Sequence, residues 1–334
     1  MPANRFDVLA IGNAIVDVMA RTEEDFLLAE GLTKGTMHLV DAARAETLHR
    51  RMNGAIERSG GSAGNTAAGV ASLGGRAAFI GKVADDPLGQ LYKSDMRASG
   101  VHFATAPLPN GATPTARSMI LITPDGERTM NTHLGACQAL GPADIDDDTV
   151  RAAAITYLEG YLWDPPEAKK AFRHAAAIAH QAGRKVSITL SDSFCVDRYR
   201  AEFLELVRSR TVDILFANDS ELKSLYETSS IESAVEALRK DCTLAAVTVG
   251  SDGALVVTAE KVAAVPATPV DTVADLTGAG DLFASGFLFG VARGMDLTDA
   301  ARLGALAAAE VIGHIGPRPA TPLLALAEAA GFRL

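Results

Sequence analysis

Aromatic residues make up only 5% of the 334-residue chain, with a single tryptophan, so a cleft relying on ring stacking has few side chains to draw on. Cysteine is scarce too: Cys137, Cys195 and Cys242 are odd in number, far apart and in no metal-ligand spacing. That excludes a disulfide framework and a structural zinc site, and fits a reducing compartment where each cysteine is a small buried apolar residue. No apolar run approaches the roughly 20 residues that span a bilayer, and Met1 to Phe6 shows no basic stretch leading into an apolar one. The expectation is a cytoplasmic protein without membrane contact. Positive charge is also short, 31 Lys and Arg against 41 Asp and Glu. Nucleic acids and anionic membranes need clustered cations, so neither is an expected partner. Any phosphate must be met by backbone dipoles, a metal ion and a few local cations.

Apolar residues are plentiful, nearly half the chain, enough for the core of one large α/β domain with a smaller appendage or for two domains. The stretch that organises the rest is Asp275-Leu276-Thr277-Gly278-Ala279-Gly280-Asp281, which runs into the apolar segment Leu282 to Phe289. Small residues opening a helix should leave the N–H groups of Gly278, Ala279 and Gly280 outward and unpaired, an anion cradle. An acid beside such a cradle repels phosphate unless it serves the other reactant, a hydroxyl that must lose its proton. Asp281 is therefore the candidate general base. The plainer alternative is a helix cap with an acid placed to suit the helix dipole.

Earlier in the chain, Phe6 to Gly12 reads as a buried strand of a parallel sheet. Asn13 and Asp17 follow it, where ligands collect in open α/β sheets, or where turn chemistry alone favours such residues. Met37 to Val40 reads as a strand, and Ala42 to Ile56 carries apolar residues at helical spacing. Gly60-Gly61-Ser62-Ala63-Gly64-Asn65 then starts a small-residue helix whose diglycine lets a ligand approach the backbone. Thr113 to Thr123 and Glu127 to His133 flank a Pro-Asp-Gly turn and read as a hairpin, with Arg128 placed to reach a cleft. From Ala153 onward strands and helices alternate, the mark of a parallel sheet covered on both faces. Gly160-Tyr161-Leu162-Trp163 places two aromatics at a strand end. Asn218 and Glu221, three apart, form either a capping box or oxygen ligands for a cation that keeps most of its waters. Thr248, Gly250 and Gly253 follow another strand, and Asp281 to Arg293 and Asp299 to Ile315 read as paired helices.

Taken together, Gly60-Gly61 with Asn65, Asn218 with Glu221, Thr248 with Gly250 and Gly253, and Gly278 through Asp281 resemble the PfkB family of carbohydrate and nucleoside kinases over nearly the whole chain. The resemblance implies one ribokinase-like domain over residues 1–334, a three-layer α/β/α sandwich with a mostly parallel central sheet. It implies a small β-sheet lid from residues 14–41 and 107–134, and an ATP-binding half over residues 212–334. It assigns catalysis to Asp281 with Gly278, Ala279 and Gly280. Acceptor contacts fall to Asn13, Asp17, Gly61, Ser62, Asn65, Met37, Arg128 and Tyr161. ATP contacts fall to Asn218, Thr248, Gly250, Gly253, Val311 and His314, with Asn218 and Glu221 holding Mg²⁺ largely through water. In relatives the loop with Asp275 and Thr277 can also hold K⁺; Leu276 stands where threonine is usual. The expected partners are ATP and a nucleoside or sugar, in a monomer or homodimer. The separation of 43 positions from Asp17 to Gly60, and the segment Phe26 to Leu32 within it, resemble the adenosine kinase branch, which implies phosphorylation of adenosine at its 5′-hydroxyl. A sugar kinase, or a catalytically silent nucleotide-binding relative, is the alternative.

Overall fold

A computed structural model describes residues 5–109 and 113–334. Met1 to Asn4, part of the segment read for a leader, and residues 110–112 of the expected lid lie outside the described residues. In chain order the strands are β1 Phe6–Ile11, β2 Ile15–Arg21, β3 Met37–Leu39, β4 Ile56–Ser59, β5 Ala77–Ile80, β6 Val101–Phe103 and β7 Ala116–Ile122. They continue as β8 Arg128–His133, β9 Ala153–Glu159, β10 Lys185–Thr189, β11 Ile214–Asn218, β12 Leu244–Thr248, β13 Ala254–Thr258 and β14 Val262–Val265.

The central sheet has the order β14-β13-β12-β11-β10-β9-β1-β5-β6, parallel except for the antiparallel β13 and β14 at one edge. Its strands are apolar almost throughout because both faces are covered. β1 shows how: Val8 and Ala10 join a core with the helices Ser62–Ser72, Ala279–Ala292 and Leu297–Ile312. Leu9 and Ile11 point the other way, toward Pro166–Gln181 and Ser193–Arg208. The strand periodicity of two thus generates a three-layer sandwich, the expected ribokinase-like architecture.

The second sheet has the order β3-β8-β7-β2-β4. Val18 opposes Met119, and both join a core with Leu27, Ala45 and Leu48 from the helices Glu24–Ala29 and Ala42–Arg51. The opposite face carries Asp17 beside Ser118, Ser118 beside Thr132, and Met37 beside Met130. Two strands here were not expected. The segment Ala42 to Ile56, read as one helix, ends at Arg51, turns at Asn53-Gly54 and continues as β4. Its apolar spacing carried on past the point where the chain turned. Asp17 lies within β2, so it belongs to the lid strand rather than to the turn after β1.

Candidate active site

The loop from Asp275 meets the helix Ala279–Ala292 at Gly278, whose φ of 83° is left-handed. A side chain there would also strike Pro317, with its Cα 2.8 Å from an added Cβ. Glycine is required on both counts. Ala279 N–H donates to Leu276 O at 3.2 Å, so it is not part of an open cradle as expected; the tight turn consumes it. Among the described residues the N–H groups of Gly280 and Asp281 have no acceptor, and nothing lies within 4 Å of a Cβ built on Gly280. The open N–H groups at this turn are thus those of Gly278, Gly280 and Asp281 rather than Gly278 to Gly280.

Asp281 sits in the first turn of that helix, half-buried. Ser62 Oγ donates to its Oδ1 at 2.6 Å and Asn65 Nδ2 to its Oδ2 at 2.9 Å. Burial pushes its carboxyl above the ordinary value, while those two donors and the Arg318 guanidinium pull the other way. Both donors come from the helix Ser62–Ser72, whose N-cap is Gly61. Gly61 has φ 81°, and a Cβ there would collide with the Asn13 carbonyl oxygen. The diglycine turn thus brings the first and last motifs together across more than two hundred residues.

Facing this pair, Asp17 is 8% exposed and burial lifts its carboxyl to about 7. No donor among the described residues bonds its oxygens, and a side chain at Gly60 would collide with them. A buried carboxylate with open acceptor sites is a receptor for hydroxyl groups. Asn13 lies at the end of β1, but its Nδ2 is taken by Glu159 Oε1 at 2.6 Å. Glu159 Oε2 accepts from Asn13 N–H at 3.3 Å and Ala63 N–H at 2.9 Å. This buried carboxyl, raised to about 7 by desolvation, ties the ends of β1, β9 and the Ser62–Ser72 helix together. Sequence reasoning missed it; its only signal was an acid closing an apolar strand before Gly160.

Asn218 and Thr248 are register partners on β11 and β12, so these two expected ATP contacts share one strand end. Asn218 and Glu221 form a complete capping box: Asn218 Nδ2 donates to Glu221 Oε1 at 2.7 Å, Asn218 N–H to Oε2 at 3.0 Å, and Glu221 N–H to Asn218 Oδ1 at 2.8 Å. Burial, with Asp192 and Asp219 nearby, raises the Glu221 carboxyl to about 7.

The chain from residue 7 to residue 323 matches the family model described as the pfkB family carbohydrate kinase. The chain belongs to the pfkB family. The crystal structure of adenosine kinase from Sinorhizobium meliloti is 58% identical, covers 98% of this chain and 100% of that one, and superposes with a TM-score of 0.91. A probable sugar kinase from Rhizobium etli CFN 42 is 56% identical, with coverage of 98% and 99% and a TM-score of 0.91. An ATP-dependent ribose-1-phosphate kinase from Halopiger xanaduensis is 35% identical over 232 residues, 70% of this chain and 73% of that protein. This pfkB kinase is accordingly a phosphotransferase with an alcohol acceptor and ATP as co-substrate, near the adenosine kinase branch.

Not every residue assigned to the pfkB site lies where the resemblance implied. Val311 is fully buried in the core and presents no surface to a nucleotide. His314 is half-buried, with Nε2 3.3 Å from Glu310 Oε2. Gly253 is demanded by its own turn, at φ 100° against Val265 O. Trp163 is fully buried, packed on Phe172 and Phe203, whereas Tyr161 is 42% exposed. Phe194, passed over in the sequence, is 79% exposed just beyond β10. Arg128 reaches not the acceptor but the loop: its guanidinium pairs with Asp275 and its Nη1 donates to Thr277 Oγ1 at 3.0 Å. Asp275 also accepts from Thr277 N–H at 3.0 Å and Gly316 N–H at 2.9 Å. A carboxylate so engaged, with its counter-charge already supplied, does not fit a K⁺ site.

Proposed function

We propose that this kinase transfers the terminal phosphoryl group of ATP to the 5′-hydroxyl of a nucleoside, adenosine being the preferred acceptor. The observation that carries the reading is Asp281, held by Ser62 and Asn65 at a helix start with unpaired N–H groups and close enough to the open carboxylate of Asp17 to act on its charge. Asp17 holds the ribose hydroxyls, and the reacting hydroxyl lies against Asp281. As its oxygen bonds to phosphorus, the bond from phosphorus to the ADP oxygen breaks and the proton passes to Asp281. A carboxylate is a far weaker base than an alkoxide, so the proton moves late in the step. The cradle meets the charge on the migrating group.

Mg²⁺, when bound with ATP, neutralises phosphate charge. Asn218 and Glu221, whose side-chain oxygens each accept a bond within the capping box, would hold it through water, since Mg²⁺ keeps several waters. The base is favoured over a bare sugar by apolar surface that a sugar does not need. Met37 and Leu39 are 48% and 60% exposed on the same lid face as Asp17, and Tyr161 and Phe194 are exposed beyond β9 and β10.

The test is ADP release from MgATP with adenosine, inosine, guanosine, ribose and fructose as acceptors. Highest kcat/KM with adenosine is the expected outcome. Preference for a free sugar would keep the fold and the base but move the assignment to a sugar kinase, the reading that the 35% identical ribose-1-phosphate kinase favours.

A further inference from the structure

The segment Gly316-Pro317-Arg318-Pro319, after the helix Leu297–Ile312, touches three separated parts of the site. Gly316 N–H donates to Asp275 Oδ2, Pro317 occupies the space beside Gly278, and Arg318 Nε donates to Asn65 Oδ1 at 2.8 Å. Arg318 Nη2 reaches Ser59 Oγ at 3.2 Å and Met96 Sδ at 3.4 Å. Prolines on either side restrict the backbone, and Glu310 Oε1 accepts from Ala320 and Thr321 N–H at 3.0 and 2.7 Å. The arginine is thus presented from a stiff, anchored stretch.

A carboxamide has one accepting and one donating end. With Asn65 Oδ1 turned to Arg318, Nδ2 must face Asp281; turned over, its oxygen would oppose the carboxylate and its NH₂ the guanidinium. We propose that Arg318 is a positioning residue for phosphoryl transfer: it locks the Asn65 amide so that, with Ser62, it holds the Asp281 carboxylate in its reactive orientation. The proposal rests on Asp281 being the general base.

Charge acts in the same direction. Ser62 and Asn65 from one helix and Arg318 act on Asp281, and Asp281 in turn acts on Asp17 from β2, Tyr157 and Glu159 from β9 and Tyr161 after it. Arg318 is the cation of the set and favours the ionised, basic form. Removing it shifts the acid limb of kcat to higher pH.

The experiment measures kcat and KM for adenosine and MgATP across about pH 5 to 9 in the full chain, below each variant's melting midpoint. The variants are Arg318→Met, Arg318→Lys, Asn65→Ala, the Asn65→Ala/Arg318→Met double and Asp281→Ala. Arg318→Met should lower kcat roughly 10- to 100-fold with a smaller change in KM, and move the acid limb upward. Arg318→Lys should return the limb toward wild type, and carries the same cycle if the methionine variant does not fold. On the high-pH plateau, where the charge effect on Asp281 no longer limits the rate, the double variant should be no slower than Asn65→Ala, because there Arg318 acts through Asn65. Losses that multiply on that plateau in the double variant overturn the proposal, as does wild-type kcat and pH profile in Arg318→Met while Asp281→Ala is inactive. Wild-type kcat in Asp281→Ala overturns instead the base assignment beneath it.

Discussion

At the scale of single residues, the site holds three carboxyls that desolvation raises alike and that their neighbours put to different uses. Asp281 has two neutral donors and a nearby cation, Asp17 has open acceptor sites, and Glu159 is spent on structure. Glu159 rises from 4.5 to about 7 on folding, so between those values the folded chain keeps a proton that the unfolded chain has released. Its contribution to stability is complete below about pH 4.5 and is lost as pH rises through 7. Urea melts should show Glu159→Gln flattening this slope by at most about 3 kcal/mol between pH 5 and 7.5; parallel slopes in the two proteins would contradict it. Residues grouped in motifs, such as Asp281, Gly61 and Asn65, were legible in the sequence because small residues and a polar partner came at fixed spacing. Glu159 and Arg318 were not, since each stands alone at a strand end or in a loop and acquires partners only through folding.

At the scale of elements, the helix Ser62–Ser72 and the helix Ala279–Ala292 meet at their N-terminal ends, which brings the donors Ser62 and Asn65 onto the Asp281 carboxylate. The alternating strands and helices from Ala153 onward were readable from period alone, because both sheet faces are buried. β2 and β4 were not: they are lid strands, half covered, and β4 follows a helix whose spacing it appeared to continue. β8 brings Arg128 across to the Asp275 loop, so the lid supplies the charge that a monovalent ion would otherwise bring. Activity should therefore be equal in K⁺, Na⁺ and tetramethylammonium salts at matched ionic strength. A rate increase selective for K⁺ would contradict this reading of the loop.

At the scale of the whole molecule, a mostly parallel sheet collects the ends of β1, β9, β11 and β12 along one edge, and the second sheet turns Asp17 and Met37 toward it. An acidic chain with few aromatics has in this way backbone N–H groups for an anionic nucleotide, and on the proposed reading its aliphatic lid face serves the acceptor's base. The overall architecture was legible because it follows from burial patterns distributed over many residues, whereas the choice between nucleoside and sugar depends on a few exposed side chains. The most direct measurement is AMP formation from adenosine and MgATP by the wild-type chain and by Asp281→Ala. Steady turnover in the first and a kcat lower by about 10²- to 10⁴-fold in the second, with KM little changed, is the predicted result. Equal turnover in both, or none in the wild type, would contradict it.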